Sequence, residues 1–368
     1  MPPASPPHKP PSLLIVPLTL DSLTTPPTAH HLTLIRSAIS LLLLPCGRRI
    51  YTPPLSLRIS ISAPPASPQA PPPSWQDIHA LLSTLYMAAA QEAWRREYPV
   101  LNVDVVFDGG DDDRWLADIP DGAHAAVVGR AEDQAELAGV NARRGKNGLG
   151  HLRFTVIDDE EGEEEEEGEA RLTTVGSKAD VIYQPGREGV QAYDCVALGG
   201  TFDHLHVGHK ILLSVAAFLA RKRLVCGVMD ASRLARKQGS SQMQPLADRI
   251  AGVRAFLRLI RGIHALNRST TATTQDLHLD VVAITDDYGP TRDDPAIQAI
   301  VGSLETRKGC EAVNTLRATN NLPLLDIFTI GVVAPSSSED TPSSDEAQQI
   351  AAKISSSGIR VFLEGKAK

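Results

Sequence analysis

The chain has 368 residues, enough for two or three domains of ordinary size and a substantial core. Hydrophobic residues make up 42% of it, which places it among globular proteins, although only 4% is aromatic and many of its 27 prolines fall in the first 75 positions. The formal net charge of −8 misleads: Asp158 to Glu169 alone holds ten acidic residues, and the remaining chain carries +2, with no basic surplus to indicate nucleic acid as a partner.

Cys46, Cys195, Cys226 and Cys310 lie far apart with no CxxC spacing, so they read as reduced thiols, not as a disulfide frame or zinc site. The first residues offer neither an apolar signal core nor an arginine-rich amphipathic helix. The longest apolar run, Ala38 to Pro45, falls well short of the roughly 20 residues a membrane helix needs. A cytoplasmic protein with no membrane partner is expected.

In chain order, residues 1–11 are a proline-rich tail, expected to be disordered. Ser12 to Leu18 reads as a strand, His31 to Leu44 as a leucine-rich helix, Leu55 to Ile61 as an alternating strand and Trp75 to Tyr98 as a long helix. Leu101 to Phe107 follows as a strand alternating Val103, Val105 and Phe107, and Ala125 to Val128 can add another. This β-α-β-α-β order predicts a small parallel sheet with helices on its faces. No clear chemistry attaches to it. Asp108 to Arg114 lacks the spacing of a calcium loop, and Gly129 to Gly150 lacks the order of a P-loop. The acidic run cannot fold alone, because its charges repel and it has nothing apolar to bury. The expected division is therefore a tail at 1–11, an α/β domain of unknown role at 12–157, an acidic linker and lead-in at 158–193, and a second domain at 194–368.

The second part is regular. Val196 to Leu198 is a short buried strand, and Lys210 to Arg221 places Ile211, Leu212, Val215, Ala216 and Leu219 on one helical face. Leu224 to Met229 is a second strand. A helix with Pro245 in its first turn runs to about Arg261, and Leu279 to Ile284 is a third strand. Ala299 to Gly302, a helix over Glu305 to Ala318, and Leu324 to Val333 complete the alternation. A doubly wound, Rossmann-like parallel sheet is the economical fold, with ligands beyond the carboxyl ends of its strands.

At one such end lies the most informative stretch, Leu198-Gly-Gly-Thr-Phe-Asp-His-Leu-His-Val-Gly-His209. Gly199 and Gly200 let backbone approach a ligand, Thr201 adds a hydroxyl, and the helix start offers amides to an anion. His206 and His209, three apart, can face the same phosphate. Four further constellations stand at strand or helix ends. Arg233, Arg236 and Lys237 follow the second strand, where fixed cations would offset crowded phosphates. Asp286, Asp287 and Tyr288 lie on a turn shaped by Gly289 and Pro290. Ser303, Glu305 and Thr306 make a helix start, equally readable as a plain cap. Ile354-Ser-Ser-Ser-Gly-Ile-Arg360 reads as a hydroxyl-rich motif leading into a short helix, with Arg360 able to reach back.

The GGTFDxxHxGH pattern resembles the first motif of the HxGH nucleotidyltransferases. Together with Gln244-Pro245, Asp248-Arg249, Asp287 to Thr291, Ser303 with Glu305-Thr306, Val313-Asn314 with Arg317, and the ISSTxIR-like run at 354–360, it resembles the eukaryotic, especially fungal, phosphopantetheine adenylyltransferase family over roughly residues 190–365. That resemblance implies ATP + 4′-phosphopantetheine → dephospho-CoA + pyrophosphate, a step of coenzyme A synthesis. It implies His206, His209 and Lys237 as catalytic residues. Gly199, Gly200, Thr201, Phe202, Asp203, Arg236, Asp287 and Tyr288 would bind the acceptor. Gly208, Ser303, Glu305, Thr306, Ser355, Ser356, Ser357 and Arg360 would bind ATP. Mg²⁺ would arrive with ATP through phosphate oxygens and water rather than through protein ligands. Ser357 stands where the family has Thr, and Gly358 weakens the helix start. With no P-loop before Lys368, one step only is expected. Other coenzyme A enzymes are possible partners. The alternatives are a cytidylyltransferase acting on a phosphorylated alcohol and a non-catalytic scaffold.

Overall fold

A computed structural model describes residues 12–43, 55–63, 72–107, 119, 125–131, 134–157, 192–230, 243–267, 277–331 and 355–366. Two five-stranded parallel sheets result. The first is ordered β3-β2-β1-β4-β5 from β1 (Leu13–Thr19), β2 (Ser56–Ser62), β3 (Asn102–Phe107), β4 (Ala125–Gly129) and β5 (Arg153–Val156). The second is ordered β10-β9-β6-β7-β8 from β6 (Tyr193–Gly200), β7 (Ala220–Met229), β8 (His278–Ile284), β9 (Ala299–Ser303) and β10 (Asp326–Ile330). Reversed, the second order reads β8-β7-β6-β9-β10, so both halves are wound alike, with a switch of direction beside their first strand.

Seven α-helices lie among the described residues: α1 (Ala29–Leu42), α2 (Trp75–Arg95), α3 (Gln134–Lys146), α4 (Val207–Leu219), α5 (Leu246–Leu259), α6 (Arg307–Thr319) and α7 (Ser356–Lys366). α1 and α2 both start in capping boxes, Thr28 with His31 and Ser74 with Asp77, which satisfy amides that a helix start leaves over. α3 and β5 lie outside the expected elements. Gly139 and Gly145 dilute the periodicity of α3, and β5 is a four-residue, partly exposed edge strand with no apolar run.

The sequence reads β2 and β3 as alternating strands in a parallel sheet with helices on its faces. Both faces are covered, and Leu57 to Ile61 and Val103 to Phe107 are buried without a break, as in parallel sheets clad on two sides. The second face of β3 is closed by the other half of the chain. α2 explains how: 16 of its 21 residues are buried, because one side packs on α1 and the other on α4. The apolar core accordingly runs unbroken from Leu14 and Ile59 through Leu85 to Val215 and Phe328.

Candidate active site

β6 carries Gly199 and Gly200 to its carboxyl end, and its pairing with β9 through Leu198↔Val301 sets Ser303 beside them. This is the switch of direction in the second sheet, where a crevice forms in such folds. The chain then turns sharply. Phe202 and His204 adopt left-handed backbone, φ 49° and 46°, which costs energy for residues other than glycine and persists only where surrounding contacts enforce it. Those contacts are visible. Phe202 is fully buried, and its ring stands 5.2 Å from that of His209. The His204 amide donates to Gln244 Oε1 at 2.8 Å, and the Gln244 amide donates to Asp203 Oδ1 at 2.9 Å.

His206 is the cap residue of α4 and makes no side-chain capping bond. Its ring instead folds over Gly208, where an added Cβ would lie 3.2 Å from Cε1, so the glycine between the histidines gives the ring its place. The His206 and His209 rings lie 3.9 Å apart, tilted 32°. Burial, with the Lys210 ammonium beside it, pushes His206 down to about 4, against a weaker upward pull from Asp203. At neutral pH it is a neutral imidazole, suited to donating one N–H to an anion rather than to carrying a charge.

The serine run meets this turn across more than 150 residues of sequence. Ser356 Oγ donates to the Asp203 carbonyl at 2.9 Å, and Arg360 Nη1 donates to Asp203 Oδ2 at 2.6 Å. Arg360 Nη2 reaches Ser357 Oγ at 3.1 Å, and the Gly358 amide donates to Ser355 Oγ at 3.2 Å. α7 runs through Gly358, and its first turn is held on the Asp203 turn that leads into α4.

Several expected site residues therefore take supporting places. Phe202 and Asp203 have no solvent exposure; Phe202 backs His209, and Asp203 anchors Arg360, which is itself 2% exposed. Ser303 and Thr306 form a capping box through the Ser303 amide and Thr306 Oγ1 at 2.9 Å, while Glu305 is exposed on the same turn. Asp286 accepts from the Tyr288 and Gly289 amides at 2.9 and 2.6 Å, which shapes the turn after β8, two strands from β6. Tyr288 packs on the small apolar cluster around Ile297 and Val313, and Asp287 is exposed. Arg233, Arg236 and Lys237 lie outside the described residues. So do residues 158–191 and the run Asp108 to Arg114.

Sequence reasoning gave no role to Arg249 or Arg317. Arg249 is 1% exposed; its Nη1 donates to the carbonyls of Thr201 (2.6 Å) and Met229 (2.8 Å), tying the ends of β6 and β7 together. Burial lowers its proton affinity. Its signal was an arginine within the apolar stripe formed by Leu246, Ile250, Val253 and Leu257. Arg317 likewise gathers the carbonyls of Thr291, Asp294 and Pro323. Among the described residues, no group of three or more His, Cys, Asp or Glu is placed to hold a metal, and no helix is long and apolar enough to cross a membrane.

A family model described as cytidylyltransferase-like matches residues 197–361. The chain is 33% identical over 182 residues to phosphopantetheine adenylyltransferase of Saccharomyces cerevisiae, covering 50% of this chain and 52% of that protein. It thus spans about half the length of that relative. It is 36% identical over 138 residues to phosphopantetheine adenylyltransferase of Methanopyrus kandleri, and 33% identical over 138 residues to that of Pyrobaculum aerophilum, in each case 38% of this chain. The matches take in 78% and 79% of the two archaeal proteins, and the chain belongs to the phosphopantetheine adenylyltransferase family.

Proposed function

We propose that this chain transfers AMP from ATP to 4′-phosphopantetheine, giving dephospho-CoA and pyrophosphate. The observation that carries this is the meeting of the Gly-Gly-Thr turn, the stacked histidines and the serine run at the carboxyl ends of β6 and β9. An oxygen of the acceptor phosphate attacks the α-phosphorus of ATP in line. The bond from that phosphorus to the bridging oxygen breaks, and pyrophosphate leaves with the electron pair. No covalent enzyme intermediate is required.

His206 and His209 donate N–H groups to the α-phosphate, where charge grows in the transition state, and Thr201 orients the acceptor phosphate. Gly199, Gly200 and Gly208 allow close approach. Ser355, Ser356 and Ser357, with the first amides of α7, receive the β- and γ-phosphates, and Asp203 holds Arg360 at that end. Ser303, Glu305 and Thr306 line the nucleotide side, Asp287 and Tyr288 the acceptor side, and Lys237 with Arg236 supplies cations. Mg²⁺ enters as part of the nucleotide substrate, on phosphate oxygens and water. The catalytic unit is residues 194–368, in the cytoplasm, with residues 12–157 as a companion sheet and other coenzyme A enzymes as partners.

The yeast and archaeal relatives, which are phosphopantetheine adenylyltransferases, support ATP and phosphopantetheine over CTP and a phosphorylated alcohol. Pyrophosphate release by the full chain, measured with each nucleotide and acceptor pair in Mg²⁺, tests this. Release with ATP and phosphopantetheine, lost by at least about 100-fold in His209→Ala, is the expected result. Release only with CTP, or unchanged turnover in that variant, would overturn it.

A further inference from the structure

Lys210 follows His209 in the chain and closes the first turn of α4, its amide donating to the His206 carbonyl at 3.0 Å. Its side chain reaches across to the first half. The ammonium donates to Asn102 Oδ1 at 2.7 Å, to the Val103 carbonyl at 2.5 Å and to Asp104 Oδ1 at 2.7 Å, all on β3. An ammonium has three protons, and three acceptors in the first sheet take them. The Lys210 side chain is 4% exposed and that of Asp104 11%, and the Phe256 ring of α5 closes over the nitrogen at 5.5 Å. The carboxylate is itself held, since Asn102 Nδ2 donates to Asp104 Oδ2 at 3.0 Å and to Ser56 Oγ of β2 at 3.3 Å.

Around this strut the two halves fit tightly. Phe328 of β10 meets Trp75 of α2 edge-on at 5.6 Å, and His79 Nε2 bonds to the Gly331 carbonyl at 2.7 Å. The Phe107 carbonyl at the end of β3 lies where a Cβ on Gly262 would be 2.6 Å away. Gly262 therefore has no room for a side chain against the end of β3.

We propose that the first sheet is a working part of the transfer site, and that Asp104 and Asn102 are positioning residues which, by capturing Lys210, set the first turn of α4 and hence the place of His206 and His209. This rests on the transferase reading above. A buried charge pair with every proton matched is directional, unlike apolar packing, so it fixes both the rotation and the advance of the helix that bears the histidines. Interactions made only in the transition state register in kcat rather than KM, and a misplacement of about 1 Å can cost about 100-fold. The first half shares the winding of the second but has no Gly-Gly-Thr turn of its own; it contributes by holding its neighbour's helix.

The test uses the full chain and three variants: Asp104→Asn, Asn102→Ala and the double variant Asp104→Asn with Lys210→Met. In Asp104→Asn, kcat for AMP transfer is expected to fall at least about tenfold, with both KM values within about threefold. Asn102→Ala should show a smaller loss of the same kind. The double variant is the sharp one, since it leaves no unpaired buried charge. It should regain the melting temperature lost by Asp104→Asn but not the lost kcat. A role in stability alone would restore both together, and a folded Asp104→Asn or double variant with wild-type kcat would overturn the proposal. If Asp104→Asn does not fold, the other two variants decide. Amide hydrogen exchange adds a readout independent of turnover: the Lys210 and Ile211 amides of the double variant should exchange at least about tenfold faster than wild type, with β10 unchanged. Unchanged exchange would overturn it as well. Absence of turnover in the wild type would instead defeat the transferase reading, and the exchange measurement would still decide whether β3 fixes the helix.

Discussion

His206 gathers several features of the turn after β6 in one ring. It folds over Gly208, stacks on His209 and is held at about 4 by burial and by Lys210, so at neutral pH it is an uncharged imidazole. The same shift links it to folding. Between about 4 and its ordinary 6.5, the unfolded chain binds a proton that the folded chain refuses, so its contribution to stability is complete above pH 6.5 and is lost as pH falls toward 4. His79 and His31 are lowered chiefly by burial and act in the same direction. Without substrate, the urea midpoint of the full chain should therefore drop between pH 7 and pH 5. His206→Gln should reduce that slope without abolishing it, because the other two histidines remain. A midpoint insensitive to pH over this range would contradict the neutral assignment of His206.

At the scale of elements, α7 depends on the turn after β6 for its position. Arg360 and Asp203 are both buried, and each is the other's ion-pair partner at 2.6 Å. Removing the guanidinium leaves a carboxylate without solvent exposure, supported by the Gln244 amide but without its cation. Arg360→Leu should cost about 3–5 kcal/mol of stability, as breaking one side of a buried pair does, and should weaken ATP binding by loosening the serine run. Asp203→Asn with Arg360→Leu removes both charges and should recover most of the stability. Calorimetric melting with ATP titration separates the two effects, and equal melting of Arg360→Leu and wild type would show the pair to be inert. This pairing also marks the limit of what sequence patterns convey. The strand-turn-helix of 193–219 and the hydroxyl-rich entry to α7 were legible because motif and periodicity are local. Nothing local links Asp203 to Arg360 or Asp104 to Lys210, since each pair joins residues more than 100 positions apart. The resemblance of its motif alone places Asp203 at the acceptor, and the left-handed turn at Phe202 and His204 that buries it against Arg360 is not written in that motif. α3 was obscured for a different reason, its two glycines.

At the scale of the whole molecule, two sheets of like winding share one apolar core, with α2 embedded between them. A helix buried on both sides has no surface suited to water, so neither half can present its share of α2 and α4 alone without exposing a large apolar face. Folding should then be cooperative across the boundary between residues 157 and 194. The sequence supplies separate reporters: all three tryptophans, at 75, 94 and 115, belong to the first half, while Cys195, Cys226 and Cys310 are buried in the second. In a Cys46→Ser background, urea midpoints from tryptophan fluorescence and from thiol labelling should coincide, as one transition requires. Gly262→Ala, which drives a methyl against the Phe107 carbonyl, should shift both midpoints together by an amount equivalent to about 1–3 kcal/mol. If thiol labelling moved alone, the second half would unfold independently. The contacts of β3 and α2 would then be a surface between two folded bodies rather than the interior of one.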